Sequence, residues 1–252
     1  MKLVISLLCA QLLLSQFSNS VAHAASTETK TFEANSIKRI EIDNTTGLVK
    51  INGTDAAKAT VIIEKVRFGD HCVLKLDQVG SKLVMDIERK NLGIGVECKV
   101  NVTFNIPKAA ELEVGSSSGN IEINGVTRAV DVSTRSGDIN IEAQLEKLNA
   151  KTGSGYISLK GSVIDADIKS GSGEVTLTYT TAPQPGEIEI KTGSGSAFIN
   201  LPGVTEINAS TITASGSIQN EFPGNKNAKY KVSFRSGSGN ISIKKSDSNL
   251  TN

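Results

Sequence analysis

Apolar and polar residues alternate along most of the chain, and one short version of this alternation recurs. A glycine is followed by apolar side chains at the second and fourth positions after it, as in Gly119–Ile123 and Gly137–Ile141. The glycines that open the pattern are Gly119, Gly137, Gly155, Gly173, Gly195, Gly216 and Gly239, with an upstream match at Gly47. The four from Gly119 to Gly173 are 18 residues apart, and the later intervals are 22, 21 and 23 residues. The pattern is therefore an internal repeat with insertions in its later copies.

Each repeat also contains a second alternating run, such as Val130/Val132 or Ala166/Ile168. Alternation with a period of two buries one face of a strand. Two strands and two turns within 18 residues predict one coil of a parallel β-solenoid, with each coil stacked on the preceding one at about 4.8 Å. A β-sandwich of hairpins would explain the alternation but not the constant register. The expected fold class is all-β, a parallel β-solenoid with a less regular β-rich N-terminal region.

The repeated Ser-Gly pairs are expected at the corners of the coils. Glycine adopts positive φ without steric penalty, and small residues let successive turns stack closely. Serine and threonine hydroxyls can hydrogen-bond nearby backbone groups at such turns. A structural role at corners accounts for the repeated pairs without catalysis or phosphate binding.

Residues 1–24 have the pattern of a cleaved export signal. Lys2 is followed by the apolar run Leu3–Leu14, and Ala22 and Ala24 supply small residues at a cleavage site. A membrane anchor is the alternative, but the run is shorter than the roughly 20 residues that a span needs. We expect no transmembrane segment once this leader is removed.

The remaining chain divides into three parts. Residues 25–107 predict about six strands and a cap over the first coil. Residues 108–245 carry the regular repeats, in which Phe222, Tyr230 and Phe234 are expected in the last coil, closing the core. Residues 246–252 form a polar tail.

The two cysteines that follow the leader, Cys72 and Cys98, are expected to form a disulfide. Two thiols in an oxidising compartment are most simply paired with each other. A metal site would need more ligands than these cysteines and His71 provide, and a reactive pair would be expected to show C-x-x-C spacing. No cofactor or metal site is expected.

Residues 37–245 resemble a bacterial putative-adhesin family of exported β-solenoid domains of unknown function. The resemblance rests on Ile40–Ile42 and Gly47–Gly53, on Val102–Pro107 leading into Leu112–Val114, and on the Ser-Gly-x-Ile-x-Ile repeats. It implies a solenoid fold and adhesion, and it carries no catalytic residues to transfer.

Composition narrows the function further. The chain has 27 Lys+Arg and 26 Asp+Glu, so removing the leader with its Lys2 leaves 26 of each and no net charge. Zero net charge argues against a nucleic-acid or anionic-membrane binder. Aromatic residues make up 4%, tryptophan is absent and there are only two histidines. These counts disfavour base stacking and most histidine-based chemistry.

Four cations recur four residues before a repeat glycine: Lys151, Lys169, Lys191 and Arg235. A solenoid would stack them into a stripe, interrupted by Ser133 and Ile212 at the equivalent positions of other coils. The stripe predicts either an anion-binding surface or a solvated edge that discourages lateral strand pairing.

The expected function is that of an exported, non-catalytic, adhesin-like binding or structural module in the periplasm or at the cell surface. Its expected partners are envelope glycans or another surface protein. The alternatives are a polysaccharide-active β-helix enzyme and a periplasmic envelope-stress or carrier component.

Overall fold

The computed structural model describes residues 26–90 and 97–246. The predicted leader and residues 247–252 of the predicted tail lie outside this part of the chain. The strands are β1 (Ser26–Glu33), β2 (Arg39–Thr46), β3 (Val49–Thr54), β4 (Lys58–Arg67), β5 (Cys72–Val79), β6 (Lys82–Arg89), β7 (Lys99–Pro107), β8 (Glu111–Ser118), β9 (Ile121–Asn124), β10 (Ala129–Ser136), β11 (Ile139–Ser154), β12 (Ile157–Ser170), β13 (Val175–Tyr179), β14 (Gly186–Thr192), β15 (Ala197–Pro202), β16 (Ile207–Ser215), β17 (Ile218–Asn220), β18 (Tyr230–Ser238) and β19 (Ile241–Ser246). A 3₁₀ turn, Ala34–Ser36, links β1 to β2.

Two strand ladders run along the molecule and form its two faces. Face A has the order β5-β6-β2-β8-β10-β11-β12-β14-β18-β16. Face B has the order β1-β4-β7-β3-β9-β11-β12-β13-β15-β19-β17. The long strands β11 and β12 contribute their first halves to face B and their second halves to face A. Pairing is parallel except around β1, β4 and β5, so the predicted parallel β-solenoid is confirmed.

Residues that are 18 positions apart in the regular repeats lie opposite each other on neighbouring strands. Ile139 lies opposite Ile157, and Ile157 lies opposite Val175. All three side chains are buried, whereas Ser158 is half-buried on the outer surface. Inward aliphatic side chains therefore form rows along the axis, and these rows are the hydrophobic core.

The order of coils in space differs from their order in the chain at the C-terminal end. The β18–β19 coil pairs with β14–β15 on one side and with β16–β17 on the other. Tyr230 and Phe234 are therefore interior residues, and the expectation that they close the end of the core is wrong. The side chains give the reason. At the two inward positions where β18 has Val232 and Phe234, β16 has Ala209 and Thr211, which would fill an interior layer less well and leave a polar group in it.

A similar rearrangement occurs at the N-terminal end. The upstream match at Gly47 belongs to a true coil, because Ile40 lies opposite Leu112 and Val49 opposite Ile121. Strands β6 and β7 come later in the chain but stack outside this coil. The antiparallel strands β1, β4 and β5 lie beyond them. The division of the chain at residues 107/108 stays a prediction.

Hydroxyl side chains line the inside of one corner. Neighbouring coils place Asn44, Ser116, Thr134, Thr152, Ser170, Thr192 and Ser236 in one buried column. Most of these hydroxyls donate to a corner glycine carbonyl. Thr152 Oγ1 lies 3.2 Å from the carbonyl oxygen of Gly137, and Thr192 Oγ1 lies 2.7 Å from that of Gly195. From Thr134 to Ser236, the hydroxyls of this column thus satisfy backbone acceptors that the turns leave inside the core, whereas the Ser116 hydroxyl has no such partner.

Candidate binding face

The four predicted cations form a continuous row on face A. Lys151 lies opposite Lys169, Lys169 opposite Lys191, and Lys191 opposite Arg235. We call these four residues the basic row. Ser133 and Ile212 lie at the two ends of the row and do not interrupt it, because the stacking order of the last coils places Arg235 directly beside Lys191. Since neighbouring strands are about 4.8 Å apart, the row presents one cation per coil along the face.

A second row, two residues earlier on each strand, was not anticipated from the sequence. Its members are Glu41, Glu113, Asp131, Asn149, Asp167, Glu189 and Ser233. Lys169 Nζ lies 2.6 Å from Asp167 Oδ2, and Lys191 Nζ lies 2.8 Å from Glu189 Oε1. The hydrogen bond that Lys169 donates to Asp167 raises the pKa of Lys169.

The two ends of the basic row differ from its centre. Lys151 has Asn149, and Arg235 has Ser233, at the position where the central lysines have an acid. The charge of Lys151 and Arg235 is therefore less compensated along their own strands. A preceding acid at a spacing of two residues is the sequence signal that distinguishes the two kinds of position, because such residues share one face of a strand.

Glycines border the basic row on its other side. Gly153, Gly171, Gly193 and Gly237 lie two residues after the four cations, and each would bring an added Cβ close to the backbone carbonyl of the preceding coil. These positions cannot carry side chains without displacing backbone. These four glycines therefore form a strip of exposed main chain beside the basic row, which we call the glycine strip, and the cations border it on one side.

The N-terminal part of face A is acidic. Arg39 bonds Glu113 at 2.6 Å and Glu41 at 3.0 Å, and Lys82 bonds Glu41 at 2.7 Å. The hydrogen bond from Lys82 lowers the pKa of Glu41, and the bond to Glu113 raises the pKa of Arg39. A shallow groove of about 560 Å³ lies beside this network, where burial raises the pKa of Asp86. Face A therefore changes from acidic to basic along the solenoid axis.

Face B is more polar and less charged. Asn52 Nδ2 donates to Asn105 Oδ1 at 3.0 Å, and Asn124 Nδ2 lies 3.4 Å from Asn52 Oδ1, so that amides ladder across three coils. Tyr156, with 59% of its surface exposed, is the largest exposed apolar side chain of this face among the described residues. Face B therefore lacks the row of like charges that marks face A.

The predicted disulfide is confirmed. Cys72 at the start of β5 is bonded to Cys98 immediately before β7, with the Cα atoms 5.7 Å apart. Strand β5 belongs to face A and β7 to face B, so the bond joins the two sheets near the N-terminal end. Within residues 26–90 and 97–246, no cluster of three or more His, Cys, Asp or Glu side chains could hold a metal ion. No helix in these residues is long and apolar enough to cross a membrane.

The fold and its faces define a β-solenoid of the kind that the repeat predicts. The chain belongs to the Toastrack DUF4097 family, whose pattern matches residues 37–252, and the resemblance to a putative-adhesin family is confirmed. The structure of a putative adhesin from Bacteroides fragilis is similar, at 17% identity and a TM-score of 0.53, over 86% of this chain and 97% of that one. A putative lipid binding protein from Parabacteroides distasonis has 17% identity and a TM-score of 0.50, over 85% of this chain and 96% of that one. No curated protein matches the chain.

Proposed function

We propose that this chain is an exported, non-catalytic binding module that contacts acidic envelope glycans through face A. The observation that carries the proposal is the basic row, in which four cations occupy neighbouring strands of one flat surface. An extended polyanion laid along the axis can contact several of these cations at once. Contacts made together raise the overall affinity above that of any single one.

The surroundings of the row support this use. The glycine strip beside it leaves the cations accessible from that side. Asp167 and Glu189 hold Lys169 and Lys191 in place along their strands. Lys151 and Arg235, which have no acid at the corresponding position, offer the less compensated charge. A repulsive edge would not need ordered lysines in the middle of a sheet, where both neighbouring strands are already paired.

A binding role also fits the use of the repeated residues. The inward aliphatic residues build the core, and the serines, threonines and glycines build the corners, so the repeat itself leaves only outward rows for recognition. The putative adhesin from Bacteroides fragilis has a similar fold, and the export-signal pattern of residues 1–24 supports a role among surface partners. A polysaccharide-active enzyme remains the alternative from another class.

The proposal is tested by reversing the charge of the basic row. The variant Lys151→Glu/Lys169→Glu/Lys191→Glu should bind lipopolysaccharide and acidic polysaccharide more weakly than the wild type, and added salt should weaken wild-type binding. The matched control is Lys50→Glu/Lys160→Glu/Lys244→Glu, which makes the same charge change on face B. Unchanged binding by the first variant, or equal losses in both, would reject face A as the contact surface.

The non-catalytic part of the proposal has its own test. The purified protein is incubated with polysaccharide, peptide and ester substrates, and product formation is followed. Turnover that a single substitution abolishes without loss of the fold would make the chain an enzyme, whatever the glycan-binding result.

A further inference from the structure

The solenoid ends in a strand whose outer edge is unpaired. Strand β16 pairs with β18 along Ile207–Ser215, and no strand of the described chain lies on its other side. The amide of Gly186 in β14 donates to the carbonyl oxygen of Lys229 at 3.2 Å, so Lys229 and Lys231 point their peptide groups toward β14 and Tyr230 points its own toward β16. In the parallel register, Tyr230 lies opposite Ile207 and therefore pairs with the peptide groups of the flanking residues Glu206 and Asn208. Because peptide groups alternate along a strand, those of Ala209, Thr211 and Thr213 point away from the solenoid. The carbonyl oxygen of Ile207 also points away from β18 and accepts the amide of Asn225 at 3.4 Å.

The loop after β17 covers only the start of this edge, where Asn225 bonds Ile207 and Asn208 bonds Lys226. Beyond Asn208 the edge lacks the features that usually keep a strand edge from pairing. Its sequence, Ile207–Ser215, contains no charged residue and no proline. Strand β1 at the opposite end carries Glu28, Lys30 and Glu33. Native proteins place charges or prolines on edge strands because an unpaired edge otherwise accepts another strand. The C-terminal edge has neither, over nine residues.

Apolar side chains are exposed at the same end. Of the five large hydrophobic side chains that are exposed in the described residues, three belong to the last coil and the loop before it: Val204 at 81%, Ile212 at 59% and Ile218 at 46%. Ile218 lies opposite Ile241, which is 1% exposed, so it occupies a core position of the repeat. A further layer of protein on this end would bury it as the other core residues are buried.

We propose that a second copy of this chain covers this end, through antiparallel pairing of the two β16 strands about a two-fold axis. With the axis at Thr211, Ala209 of one copy faces Thr213 of the other and Thr211 faces Thr211, while Ser210 faces Ile212 at the positions between these hydrogen-bonded pairs. Every residue whose peptide group points outward then meets another of the same kind, which antiparallel hydrogen-bonded pairs require.

The composition of the edge favours a second copy over an unrelated strand. An uncharged strand can face itself without like-charge repulsion, and the central pair would be Thr211 opposite Thr211, a favourable cross-strand combination. The two-fold axis keeps face A of both copies on the same side. The result is one longer rod with a doubled face A. The two-fold pairing uses up both unpaired β16 edges, and the charged residues at the two outer ends discourage further strand pairing.

The test is the mass of the purified protein in solution, measured by sedimentation velocity over a dilution series. The wild type should show a reversible monomer–dimer equilibrium. The variant Ser210→Lys/Ile212→Lys places lysines opposite one another across the joint and should weaken dimerisation by on the order of a hundred-fold. The control Ser158→Lys/Thr176→Lys adds the same charge to face B in the middle of the rod and should dimerise like the wild type.

A mixture completes the experiment. Combining Ser210→Lys/Ile212→Lys with Ser210→Glu/Ile212→Glu should restore a dimer that contains one copy of each variant, because opposite charges now meet. A wild type that remains monomeric at every concentration, or a lysine variant that dimerises like the wild type, would overturn the proposal. An open series of larger masses would reject two-fold pairing in favour of head-to-tail stacking.

Discussion

The hydroxyl oxygens of Tyr179 and Tyr230 lie 2.6 Å apart inside the core, although the two residues are 51 positions apart in the chain. Both hydroxyls also approach the carbonyl oxygen of Val163, at 3.3 and 3.2 Å. The two hydroxyl hydrogens therefore make two hydrogen bonds: one tyrosine donates to the other, and the second tyrosine donates to the carbonyl oxygen of Val163. Ionising either tyrosine would remove a donor and place a charge in the core, and burial accordingly raises the pKa of both.

This pair predicts a loss of stability at alkaline pH. An unfolded tyrosine ionises near pH 10, whereas the folded pKa of each of these residues is higher, so above about pH 10 the unfolded state binds fewer protons. The contribution is complete below that pH and is lost as the pH rises further, by up to about 2.7 kcal/mol per pH unit for two tyrosines. Urea unfolding measured at a series of pH values should show this slope.

In the double variant Tyr179→Phe/Tyr230→Phe, the free energy of unfolding should fall less steeply with pH above about pH 10 than in the wild type. Tyr156→Phe is the control, because Tyr156 is largely exposed and its removal should leave the slope as in the wild type. Equal slopes in the wild type and the double variant would contradict the assignment of alkaline sensitivity to the buried pair.

The repeated part of the fold could be predicted because local pattern and tertiary register have the same period. The repeat predicts that Ile157, two residues after Gly155, faces the core and that Ser158 faces outward, and the structure places them so. The order of the end coils could not be predicted, because β16–β17 and β18–β19 carry the same repeat and both stacking orders satisfy it. The choice depends on which coil better fills an interior layer, and there Val232 and Phe234 of β18 compete with the smaller Ala209 and Thr211 of β16.

The corner at Gly155 predicts a large effect for a very small substitution. Gly155 has φ +142°, which disfavours any other residue, and an added Cβ would collide with the carbonyl oxygen of Gly137 in the adjacent coil. Gly155→Ala should therefore lower the free energy of unfolding by about 2–4 kcal/mol. Gly224→Ala is the control, because no atom lies within 4 Å of its Cβ position and its change should stay within about 0.5 kcal/mol. Similar urea midpoints for the two variants would show that this corner is not tightly stacked.

The hydroxyl column predicts a difference between two substitutions of one residue. Thr152→Val keeps the shape of the side chain but removes its hydrogen bond to Gly137, which should cost about 1–2 kcal/mol. Thr152→Ser keeps the hydroxyl and should cost less. Thermal unfolding of the two variants gives the comparison, and a valine variant at least as stable as the serine variant would mean that the column acts by packing alone.

The candidate face was predicted only in part, for a related reason. Position within the repeat suffices to align Lys151 with Lys169 and Lys191 in one row. The acids beside the central lysines were visible in the sequence as Asp167 and Glu189, but their significance depends on knowing that this row faces outward in the middle of a sheet. The unpaired edge of β16 could not be anticipated, since it follows from the stacking order.

The bond between Cys72 and Cys98 predicts that reduction weakens the N-terminal end of the solenoid. It closes a loop with a sequence separation of 26 residues between β5 on face A and β7 on face B. Removing it frees the unfolded chain, which by the loop-entropy estimate costs roughly 3–4 kcal/mol. The double variant Cys72→Ala/Cys98→Ala should lose that amount in urea unfolding, and the wild type under reducing conditions should lose a similar amount.

Both cysteines are buried, so thiols are titrated in denaturant without reductant, where none should react. Two reactive thiols, or unfolding midpoints that do not respond to reductant, would mean that the bond does not form in the protein as isolated.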